Sequence, residues 1–135
     1  MSVLDVDAAS TEHAAMQLPS AEDLRARLAT LDALDKKVVG GLVALCMTTP
    51  QKVRDREWLT ERFVHVATVA HGFAGEGETA TDDDVERVRL YAQLRLDDVL
   101  TATLLLFVRT AADLQARGGA FDMDAAAAIV RRYLA

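Results

Sequence analysis

Carboxylates set into apolar helical seams are the residues of this chain best suited to chemistry. Asp35 falls in the series Leu24, Leu28, Leu31, Asp35, Val38, Leu42, Leu45, which steps by 4, 3, 4, 3, 4 and 3. Asp97 falls in Leu90, Leu94, Asp97, Thr101, Leu104, Val108, Ala111, which steps the same way. Burying a lone carboxylate is costly, so each position calls for a cation or for hydrogen-bond donors. Glu86, Arg89, Gln93 and Asp97 also line one strip of their helix. One reading is a polar pocket between helices, lined by Asp35, Glu61, His65, Glu86, Arg89, Gln93 and Asp97. The other is a polar residue that sets helix register, or a seam less buried than its pattern implies.

Glu61 and His65 stand one helical turn apart, a spacing that suits a metal. Di-metal bundles, however, use paired Glu-x-x-His motifs, and this chain has none, so neither metal nor cofactor is expected. His71 is expected in the last turn of its helix, where the dipole favours a cation. Cys46, the single cysteine, sits between Leu45 and Met47 and reads as a buried thiol. No Gly-x-Ser-x-Gly turn and no glycine-rich phosphate loop occur. Arg25, Arg27, Lys36 and Lys37 form small basic spots offset by nearby acids, which reads as a solvated face.

Two segments, Leu24-Arg25-Ala-Arg-Leu-Ala-Thr-Leu31-Asp32 and Val53-Arg54-Asp55-Arg56-Glu57-Trp-Leu59, resemble the all-helical chorismate mutases over less than half of the chain. That resemblance implies a dicarboxylate pocket lined by Arg25, Asp55, Arg56 and Glu57. The sequence departs from the family at Leu42, where a second first-helix arginine stands, and near Thr103, where a glutamine stands.

The elements that must position these groups are all helices. Ser20 and Asp23 begin a helix over residues 21–47, with Gly40-Gly41 marking a kink or a close crossing. Thr49-Pro50 begins a second helix that runs to about His71, with a broad apolar arc of Trp58, Leu59, Phe63, Val66, Val69 and Ala70. Gly72 to Thr81 reads as a flexible loop that could serve as a lid. Thr81 and Asp84 cap a third helix that reaches Arg117, more than ~50 Å at about 1.5 Å per residue. Asp122 opens a short last helix ending in Arg131 and Arg132. Residues 1–19 form an N-terminal arm with a weak helix around Asp7 to Met16, and residues 20–135 form one domain.

The expected fold is therefore all-α: an antiparallel bundle of three long helices plus a short C-terminal one, assembled as a dimer. Of 135 residues 51% are apolar, which excludes a disordered chain. Fifteen Lys+Arg against 21 Asp+Glu leave a net charge of -6, which argues against nucleic acid. The start Met1-Ser-Val-Leu-Asp5 has no basic or apolar leader, and the stretch Val99 to Val108 is too short to span a membrane, so a cytoplasmic location is expected. Surplus apolar periodicity without a catalytic signature points to a homodimeric interaction module for a protein or peptide. Leu100, Leu104, Phe107 and Val108 are its expected interface. The alternative is a small metal-free enzyme or ligand-binding protein built on the polar pocket.

Overall fold

Side-chain caps punctuate the chain. The computed structural model describes residues 18–71, 81–118 and 122–135, and these form five α-helices with no strand among them. Ser20 accepts from the backbone N–H of Asp23 and starts α1, Ala21–Leu28. Asp32 then opens α2, Ala33–Thr48, through a capping box with Asp35. The single helix expected over 21–47 is thus two. The Asp32 side chain and the backbone compete for the same N–H groups, and the capping arrangement wins at this point.

Thr49-Pro50 does not open the next helix directly. Pro50–Lys52 makes one turn of 3-10 helix, and Asp55 caps α3, Arg56–Ala70, by accepting from Trp58 N–H. Thr81 and Asp84 form a capping box that starts α4, Asp82–Ala116, close to the expected span. Gly118 at φ 71° stops it, a conformation glycine adopts without strain. Asp122 caps α5, Met123–Leu134. The weak helix expected at 7–16 and all of the lid expected at 72–81 except Thr81, which caps α4, lie outside the described residues.

The helix α4 packs against α1, α2, α3 and α5. Its core face is Val88, Val99, Ala102, Leu106 and Thr110. Leu24, Leu28, Val38, Val39, Leu42, Val43, Cys46, Leu59 and Phe63 complete one continuous core. Gly41 lets α2 and α3 approach: a Cβ there would lie 2.8 Å from Val66 Cγ1. The broad arc on α3 is only partly inward, since Leu59, Phe63 and Ala67 are buried while Val64 and Val69 are exposed.

The seam read on α4 centres away from this core, although its Leu104 packs against the core's edge. At about 100° per residue, Leu90, Leu94, Asp97, Thr101, Leu104 and Val108 centre roughly opposite the buried set. Leu90 and Leu94 are 49% and 76% exposed. Being apolar on both faces, α4 is long and apolar enough to cross a membrane by length and composition, with a window of mean hydropathy 1.3 of which 33% is buried. The count of apolar residues between Asp98 and Arg109 did not anticipate this. A core helix meets the same criterion, and α4 has four helices against it.

Candidate functional site

Asp35 is buried, and its strongest partners come from α4. Tyr91 donates its hydroxyl to Asp35 Oδ1 at 2.7 Å, and Arg95 Nη2 donates to Oδ2 at 2.8 Å. The Asp32 N–H adds a longer bond to Oδ2 at 3.4 Å. Arg95 also holds Asp98 at 3.0 Å on the solvent side. The Tyr91 ring stacks on Phe63 at 5.8 Å and meets the edge of His71 at 5.1 Å. His71, at the C-cap of α3, donates Nδ1–H to the Ala67 carbonyl at 2.6 Å.

The electrostatics of this cluster favour a fixed charge pair. Burial, and then the hydrogen bond to Asp35, push the Tyr91 hydroxyl well above its ordinary range. The hydrogen bond to Asp35 likewise strengthens the proton hold of Arg95. Every strong acceptor direction on Asp35 is filled from within the chain, so the cluster locks α2 to α4. Tyr91 and Arg95 were not anticipated. Their signal lay in the stepping of Val88, Tyr91, Arg95 and Val99, which places both on the face that meets Asp35.

The remaining members of the expected polar pocket do not converge. Asp97 pairs with Arg56 at 2.7 Å across an open surface, with side chains 86% and 64% exposed. His65 is exposed on α3, and the cation that Asp97 meets is Arg56. Arg89 pairs with Glu86 one turn away, and this bond holds the Glu86 carboxyl below its usual range. Gln93 is exposed, and Glu61 reaches only Arg62, at 3.9 Å. The strip is a solvated face because it lies on the outer side of α4 and meets only the edge of α3, through Arg56. Among the described residues no three His, Cys, Asp or Glu side chains cluster as metal ligands would.

Arg25, Asp55, Arg56 and Glu57 are also divided. Asp55, Arg56 and Glu57 open α3 beside Asp97. Arg25 lies over the Tyr133 ring at 5.0 Å, and Tyr133 bonds Asp113. Asp97 and Asp113 stand roughly 24 Å apart along α4 at its rise per residue. One chain therefore does not assemble these four residues into a dicarboxylate pocket. Of the expected interface, Leu100 is 2% exposed and belongs to the core, while Leu104, Phe107 and Val108 are half-buried.

Two cavities stand out by lining. Between α2 and α5 an open groove of about 640 Å³ is walled by Gly40, Val43, Met47, Met123, Ala127 and Val130, with Arg131 at its edge. A smaller hollow of about 250 Å³ lies among Arg25, Asp113, Arg117, Arg132 and Tyr133. Cys46 is buried in the core, and burial pushes its thiol up to about 11, which leaves it protonated and unreactive.

No protein-family model matches the chain, and no match is found among the curated proteins or the solved structures.

Proposed function

We propose that this chain is a cytoplasmic interaction module, an antiparallel helical bundle that pairs with a second copy through the outer face of α4 and docks a protein or peptide. The observation that carries the reading is the heptad stripe Leu90, Leu94, Thr101, Leu104 and Val108, which among the described residues has no helix over its first half. Leu94 at 76% exposure is the most exposed large apolar side chain among the described residues. A stripe of period 3.5 on a 35-residue helix suits knobs-into-holes pairing with its own copy. Leu100 and Phe107 drop out of the interface, and Leu90 and Leu94 enter it. The excess of acids over bases, 21 against 15, makes nucleic acid an unsuitable partner. Light scattering coupled to size exclusion tests the pairing. A dimer at tens of micromolar that Leu94→Glu converts to a folded monomer supports it. A monomer whose hydrodynamic size Leu94→Glu leaves unchanged removes it.

The groove between α2 and α5 favours a second reading, a binding protein for an apolar small molecule. Its walls are almost wholly aliphatic, as ligand pockets are, with one guanidinium at the rim. An apolar fluorescent sulfonate dye should bind saturably, and Ala127→Trp, which fills the groove, should abolish the signal. Undiminished binding to that variant would remove this reading.

A further inference from the structure

Three helices each bring an arginine to one hollow. Arg25 comes from α1, Arg117 from the C-cap of α4 and Arg132 from the last turn of α5. The hollow holds about 250 Å³, room for a phosphate or a short dicarboxylate. Its one acid is already engaged: Asp113 accepts from Arg109 at 3.1 Å and from Tyr133 at 3.4 Å. Among the described residues Arg117 and Arg132 have no side-chain hydrogen bond and no ion pair. Arg25 is held by its charge over the Tyr133 ring, not by a carboxylate.

This grouping runs against the charge of the whole. In a chain of net charge -6, three guanidiniums share one small concavity while its carboxylate is spent on a fourth. The C-terminal dipoles of α4 and α5 account for Arg117 and Arg132 one helix at a time. The dipole of α1 favours Arg25 in the same way, but no single dipole accounts for its lying over a tyrosine of α5 beside the other two arginines. Guanidinium forks match the oxygens of phosphate and carboxylate in pairs, and three helices bring such forks, all solvent-exposed, to the rim of one hollow.

We propose that this hollow binds a small dianion bearing phosphate or carboxylate oxygens, held by Arg25, Arg117 and Arg132. The site is independent of α4 pairing and stands whether or not the chain dimerises. The test is calorimetric titration and thermal unfolding of the full chain with inorganic phosphate, succinate and chloride at matched ionic strength. Phosphate or succinate should bind saturably at one site per chain and raise the unfolding midpoint by about 5 °C at ten times its dissociation constant. Which of the two does so identifies the source chemistry. Arg117→Gln/Arg132→Gln should lose the saturable part and keep only the unsaturable rise that excluded salts give any protein. Arg27→Gln, outside the hollow, should behave as the parent. Relief of repulsion should leave the unliganded double variant at least as stable as the parent. Equal responses to all three anions, or equal responses from parent and double variant, would overturn the proposal.

Discussion

Arg95 of α4 closes on Asp35 of α2 at 2.8 Å, and the carboxylate it meets is only 2% exposed while the guanidinium is 30% exposed. The pair is thus asymmetric: the anion depends on the cation, whereas the cation can still turn to Asp98 and to water. Removing either partner therefore has a different cost.

Arg95→Ala leaves a buried carboxylate with Tyr91 alone as a strong donor and should cost about 3 kcal/mol in urea unfolding. Asp35→Leu with Arg95→Met should cost less, about 1–2 kcal/mol, most of it the Tyr91 hydroxyl left without its acceptor. Equal losses in the two variants would show that the pair is worth no more than its packing.

Gly41→Ala should destabilise by about 1–3 kcal/mol, since its methyl would meet Val66 at 2.8 Å. Gly41→Ala with Val66→Ala should recover part of that loss. Gly40→Ala, whose Cβ would stand 3.4 Å from Leu134 Cδ1, should be neutral or gain up to about 1 kcal/mol of helix propensity. Denaturant midpoints of the three variants read the order directly.

Alkaline pH should weaken the fold in two stages. Cys46 holds its proton to about 11 when folded against 9.0 ordinarily, and Tyr91 is shifted upward from 10.0. A group with a raised folded value contributes stability that is complete below its unfolded value and is lost as pH climbs toward the folded one. The urea midpoint should therefore fall from about pH 9 upward. Cys46→Ala should remove the earlier part of the slope, and Tyr91→Phe the part above the ordinary tyrosine value. A midpoint constant to pH 11 in the parent would contradict both burial arguments.

Asp97→Leu should change monomer stability by no more than about 0.5 kcal/mol. Its carboxylate is 86% exposed, and the ion pair it gives to Arg56 is a surface pair. Arg56→Gln should be equally mild in thermal unfolding. A loss above about 2 kcal/mol in either variant would mean that another surface covers this part of α4.

Local pattern along the chain was enough to read helices, the starts of α4 and α5, and an aspartate, Asp35, set into an apolar seam. Caps, glycines and apolar steps act within a few residues of each other, so their effect is legible locally. The closing of α4 at Gly118 belongs to the same local class, whereas at Gly41 the choice between a kink and a close crossing was made by the docking of α3. Which face of α4 lies inside was settled by the docking of the other helices. That helix carries two apolar faces about half a turn apart, and the regular heptad through Leu90, Leu94 and Asp97 is the outer one. The inner face, through Val88, Val99 and Leu106, is chosen because α1, α2, α3 and α5 cover it. The same choice moved Asp97 from an expected pocket to open water and drew Tyr91 and Arg95 to Asp35. It also gathered Arg25, Arg117 and Arg132, which are spread over more than a hundred positions of chain and meet only when three helices dock.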